Sequence, residues 1–107
     1  MKNRLRTSLY AAIGILALAC GASVIPLATM ADLDHAPQGS TVSSLNLGRD
    51  IYVQKCSGCH RLRAPAEHSP EDWPGKVERM LEKARLTPDE KDLVIGYLVA
   101  MSLSDSN

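Results

Sequence analysis

The residues that could carry chemistry stand together as Cys56-Ser57-Gly58-Cys59-His60. On a helical turn the two thiols, three residues apart, fall on one face. Each can add to one vinyl group of a haem, giving two thioether bonds, and C-x-x-C-H is the spacing of c-type haem attachment. His60 follows on the same turn and can place a ring nitrogen on the iron as the proximal axial ligand. Other chemistries fit less well. A structural zinc site needs four ligands, usually from a second Cys or His pair. The one further cysteine, Cys20, lies in an N-terminal apolar segment. A thioredoxin-type disulfide needs a βαβ setting, and no convincing strand pair flanks the motif.

Three helices are expected to position these groups. The first starts near Leu45 or Asn46 and runs into the motif, with Leu47, Ile51 and Tyr52 on one face. The second begins at Ser69-Pro70-Glu71-Asp72, a Ser cap followed by Pro and an acid. Pro74 disturbs its first turn, so the regular part begins nearer Trp73. Trp73, Val77, Met80, Leu81 and Ala84 form its apolar stripe, while Lys76, Glu78, Arg79, Glu82 and Lys83 mostly take the other side. Thr87-Pro88-Asp89-Glu90 repeats the start signal for a last helix reaching Met101 or Ser102. Its stripe is Leu93, Val94, Tyr97, Leu98 and Met101.

The pattern Gly48-x-x-x-Tyr52-x-x-x-Cys56-x-x-Cys59-His60, with Tyr97-Leu98 in the terminal helix, resembles a small class I bacterial cytochrome c. The run Trp73-x-x-x-Val77-x-x-Met80 further resembles a monohaem subset in which this helix supplies the distal methionine. The resemblance covers residues 44–103. It implies an all-α, cytochrome c-like fold: three main helices around one covalent haem c. It also implies that Gly48 lets the first and last helices cross, with Tyr97 packed on it. Residues 61–68 would pass the proximal side of the haem, with Arg61 or Arg63 able to pair a propionate.

For the sixth iron position the candidates are Met80, Met101 and His68. Met80 sits on an inward face, 20 residues after His60, and its thioether is soft and polarisable. It also matches the family position. Met101 lies at the end of a helix expected to pack on the first, and His68 is in a Pro-flanked loop on the proximal side. The expected cofactor ligands are therefore Cys56, Cys59, His60 and Met80, with His60 and Met80 on the metal.

Length and charge set the remaining bounds. The chain has 107 residues and no Phe, and 4% of it is aromatic. One domain is the limit at this length. So small a core usually needs a staple, and a covalent apolar macrocycle would be one. From residue 32 onward nine basic face twelve acidic side chains, a net charge of −3 with the signs interspersed. That pattern gives no reason to expect nucleic acid.

Residues 1–6 are basic and residues 7–31 carry no charge, the form of an export signal. Three fates are open: cleavage after Ala31, lipidation of Cys20 at the Leu16-Ala17-Leu18-Ala19-Cys20 run, or retention as a bilayer-spanning anchor. Each places the following domain in the periplasm, soluble or held at the inner membrane. Residues 32–44, rich in Asp, Ser, Pro and Gly, read as a flexible linker, and residues 45–103 as the haem domain. The expected function is one-electron transfer between a redox protein donor and acceptor. No small-molecule substrate is expected, so the chain is not read as an enzyme. The alternative is a haem-based ligand sensor with an open sixth site. Open-site cytochromes of the four-helix type carry C-x-x-C-H close to the C-terminus, whereas 47 residues follow His60 here.

Overall fold

The computed structural model describes residues 25–58 and 61–104. These residues are all helical in their regular structure, with no strand among them. Three α-helices dominate: α1 (Val42–Cys56), α2 (Trp73–Met80) and α3 (Pro88–Ser102). Single 3-10 segments lie at Met30–His35 and Pro65–Glu67. α3 is the hub, because α1, α2 and both 3-10 segments pack on it.

Reciprocal caps start α1 and α3. Thr41 Oγ1 accepts from the Ser44 amide at 3.0 Å, and Ser44 Oγ accepts from the Thr41 amide at 2.9 Å. Thr87 and Glu90 make the same pair at 3.2 and 3.0 Å. Each pair satisfies two amides that the helix leaves without partners. α1 therefore starts three residues before Leu45, inside the stretch read as linker. At the second helix, Ser69-Pro70-Glu71-Asp72 forms a capped turn, and regular helix begins at Trp73 as expected. α2 is shorter than its apolar stripe. The turns that follow it, residues 81–85, close with Arg85 at φ 55° and the Leu86 amide bonded to the Leu81 carbonyl at 3.1 Å. This is a left-handed stop with Arg where Gly is usual. Leu81 and Ala84 fall in the turns after the helix and stay half-buried.

The inward face of α1 differs from the expected one. Leu45, Gly48 and Tyr52 are buried, whereas Leu47 is 51% exposed. The α1–α3 crossing explains this choice. A Cβ on Gly48 would lie 2.1 Å from the Leu93 carbonyl oxygen and 3.1 Å from Tyr97 Cβ. The two backbones thus approach as closely as the absence of a side chain allows. Whichever face carries Gly48 must face α3, so Leu47 is turned outward. Tyr97 packs on Gly48, the partner expected for it, and is fully buried with Val94 and Leu98.

A second difference lies ahead of α1. Residues 32–36, expected to be linker, are folded: Asp32 is 4% exposed, and the 3-10 turn it belongs to packs on α3. Ile25 and Ala28, expected in the leader, are buried in the same core. The rest of the uncharged run, residues 7–24, lies outside the described residues, as does Cys20. Among the described residues no helix is long and apolar enough to cross a membrane.

The crossing makes a sharp test of the fold. Gly48→Ala should lower the unfolding free energy by about 3 kcal/mol or more, since rigid backbone has to move. Gly75→Ala on α2, where a Cβ meets nothing within 4 Å, should be neutral or stabilise by up to about 1 kcal/mol. Urea denaturation of the two variants measures both. Equal effects would mean that the helices do not meet at residue 48.

Candidate functional site

The last turn of α1 carries Tyr52, Lys55 and Cys56 to the wall of a cavity of 360 Å³. That volume is in the range of small-molecule and cofactor sites. α2 contributes Trp73, Val77 and Met80 at helical spacing, followed by Ala84 and Leu86, and α3 contributes Leu98. The remaining wall is the loop of Leu62, Arg63 and His68. The apolar stripe of α2 thus faces a cavity as well as a core.

Two aromatic side chains hold that loop. The Tyr52 hydroxyl donates to the Arg63 carbonyl at 2.7 Å and accepts from the Arg63 amide at 3.1 Å. The Trp73 indole N–H donates to the Pro65 carbonyl at 2.8 Å. Their rings meet edge to face with centroids 6.4 Å apart, and His68 stands edge-on to Trp73 at 4.9 Å. Such contacts add to area burial. These bonds pin the loop at two carbonyls and one amide, in addition to the packing of Pro65–Glu67 on α3.

The charges around the cavity are of one sign. Lys55, Arg63, Lys76, Arg79 and Lys83 line it, and no carboxylate does among the described residues. Lys55 is held by Glu90 at 2.7 Å and by the Arg85 carbonyl at 3.2 Å. This tie joins the end of α1 to the start of α3. The Lys55 ammonium, with the Thr87 amide, keeps the Glu90 carboxyl below its usual range. Arg61 and Arg63 both reach Glu67, at 3.3 and 3.8 Å. The Ala64 amide lowers the Glu67 carboxyl first, and those cations lower it further. Arg63 is therefore less available to an anionic ligand than its place in the sequence implies. Among the described residues Lys76, Arg79 and Lys83 have no ion-pair partner.

Of the four expected ligands, Cys56 and Met80 line the same cavity. Cys59 and His60 lie outside the described residues. Met101 is 3% exposed within the core and does not line the cavity. His68 does line it. The residues present fit a haem: apolar walls for a macrocycle, a cysteine of the C-x-x-C-H run at the wall, a soft thioether, and cations for carboxylates. Sequence reasoning had placed Lys76, Arg79 and Lys83 on a solvated face. Their i, i+3, i+7 spacing, with Glu78 and Glu82 elsewhere, was the signal of a basic line along one flank.

Comparisons with known proteins add nothing to this description: no family model matches the chain, and no curated protein or solved structure matches it.

Burial pushes the Tyr52 phenol up to about 12 from an ordinary 10. The fold thus favours the neutral phenol. Its contribution is whole below pH 10 and is lost as pH rises from 10 through 12. Wild type should lose stability over that window more steeply than Tyr52→Phe. At neutral pH the variant should be weaker by on the order of 1–2 kcal/mol, because the Arg63 amide and carbonyl lose their partner. Urea unfolding of both proteins from pH 8 to 12 tests this. Parallel declines would mean that Tyr52 is not buried.

Proposed function

We propose that this chain is a periplasmic c-type cytochrome that passes single electrons between two redox proteins through one covalently attached haem c. The observation that supports it most is the apolar cavity that Cys56, of the C-x-x-C-H motif, and Met80 both line. When bound, the haem supplies an iron that changes by one electron with no substrate transformed. Cys56 and Cys59 hold it through thioether bonds. His60 and Met80 would hold its iron, through an imidazole nitrogen and a thioether sulfur. Ligation by one thioether and one imidazole would raise the potential above that given by two imidazoles.

The rest of the site serves that chemistry. Leu62, Trp73, Val77, Leu86 and Leu98 exclude water from the metal's surroundings. Lys76, Arg79 and Lys83 supply positive charge for the propionates and for an acidic face on a partner. Tyr52 and Trp73 hold residues 61–68 in place. The motif gives the haem its attachment, and the uncharged run after a basic start carries the domain out of the cytoplasm.

Denaturing electrophoresis with a haem stain tests attachment. Cys56→Ser combined with Cys59→Ser should leave no stained band, and retained covalent haem would sink the reading. Ligation is tested by two methionine variants. Met80→Ala should open the sixth site, lower the potential and let the ferrous protein bind carbon monoxide. Met101→Ala should cost packing, on the order of 2–5 kcal/mol, and leave the ligand spectrum alone. The opposite pattern would give the iron to Met101. Carbon monoxide binding by the wild type would favour the sensor with an open site.

A further inference from the structure

The segment ahead of α1 is bonded as an integral part of the domain. The Arg49 guanidinium donates through Nε to the Ile25 carbonyl at 2.8 Å. The Tyr97 hydroxyl donates to the Pro26 carbonyl at 2.5 Å. Asn46 makes a two-way pair with residue 28: its Oδ1 accepts from the Ala28 amide at 2.8 Å, and its Nδ2 donates to the Ala28 carbonyl at 3.2 Å. Buried Asp32 accepts from the amide and hydroxyl of Thr29 at 2.6 and 3.0 Å, and from the Ser104 hydroxyl beyond α3. Ile25 and Ala28 are 8% and 5% exposed. Residues 25–32 therefore run as a strap over α1 and α3, bonded to side chains from both.

Cleavage after Ala31, which the small residues Thr29 and Ala31 invite, would remove at once the Ala28 contacts of Asn46, the Ile25 contact of Arg49 and the Pro26 contact of the Tyr97 hydroxyl. It would uncover apolar surface beside a fully buried Tyr97 and take from Asp32 both Thr29 donors. Polar side chains left facing a stripped groove are costly. We propose that residues 25–32 are a permanent strap of the mature protein, and that any removal of the leader cuts the chain before Ile25. The run Cys20-Gly21-Ala22-Ser23 offers small residues there, the class that leader peptidases read. Hydrolysis of that peptide bond consumes one water, leaving a carboxyl on the leader and an amine on the strap. The processing position rests on the export reading; the strap itself does not.

Mass spectrometry of the protein from its native host should give a first residue at or before Ile25, Met1 included. A mature chain starting after Ile25 overturns the proposal. In the full chain, Asn46→Ala combined with Tyr97→Phe should raise the unfolded fraction about tenfold for the strap bonds lost. No change in that equilibrium overturns the strap too. The compartment is read separately by fractionation. Recovery from the cytoplasm alone would sink the export reading, and the Asn46 and Tyr97 variant would still decide whether the strap is structural.

Discussion

The contact of Gly48 with the Leu93 carbonyl and Tyr97 sets the rest of the structure. A side chain at residue 48 would collide with backbone, so α1 and α3 cross where neither needs to make room for the other. That crossing fixes the rotation of α1. Rotation in turn sends Tyr52 and Cys56 toward the cavity and Leu47 to solvent. On the other side of the crossing, Tyr97 reaches past α1 to the Pro26 carbonyl. One residue without a side chain thus orders both the cavity wall and the N-terminal strap. Close packing is what transmits the constraint, because an interior at crystal-like density has few ways to accommodate a shifted helix.

Size explains why the cavity matters to stability as well as to function. A domain of this length has a net stability of about 5–15 kcal/mol at most. Covering one Leu or Val side chain fully is worth about 1.5–3 kcal/mol. Leu62, Val77, Leu86 and Leu98 all face the cavity. Val77, Leu86 and Leu98 are already 6%, 8% and 0% exposed, so on the proposed function a bound macrocycle would stabilise mainly by taking its own apolar surface out of water against this wall. Folding and cofactor attachment are then one thermodynamic problem. The polar clamps from Tyr52 and Trp73 are the complement, since they hold the loop by bonds that do not need the cavity filled.

Much of this could be read from the residues in advance, and the misses have physical causes. The all-α class, the span of α3, the start of α2 and the crossing at Gly48 followed from periodicity, capping signals and a resemblance. The start of α1 was missed because its cap pairs Thr41 with Ser44, and the usual third-position partner is Glu or Gln. The stripe of α2 reads on to Ala84 although regular helix ends at Met80, and the stop after it carries no glycine signal because Arg85 takes the left-handed position. The strap was missed because its bonds run largely through backbone carbonyls and amides of residues 25–28, which an apolar sequence does not reveal. At the site, Cys56 and Met80 line one cavity, while Cys59 and His60 lie outside the described residues. Lys76, Arg79 and Lys83 were legible as charges. That they ring a cavity depends on α2 being turned by Trp73 and Val77, which is a tertiary fact.

Charge placement completes the physical picture. The domain is acidic in sum, yet five cations and no carboxylate line the cavity among the described residues. Asp89 and Asp92, in the first turns of α3, line a different depression together with residues 37–40, which precede α1, and the two linings share no residue. Net charge therefore says little about what a partner meets at the cavity. Within a Debye length of about 8 Å at physiological salt, an approaching surface meets the local sign. Three of the five cations, Lys76, Arg79 and Lys83, have no ion-pair partner among the described residues. A partner with an acidic face is thus drawn to the cavity side, and an acidic face turned toward Asp89 and Asp92 is repelled. Such a distribution orients an encounter more than it strengthens it. On the proposed function this is what a carrier requires: it must present one side to each partner and then leave. Buried ion pairs across the interface would slow departure. Exposed lysines and arginines on flexible stems steer approach while contributing little to the lifetime of the complex.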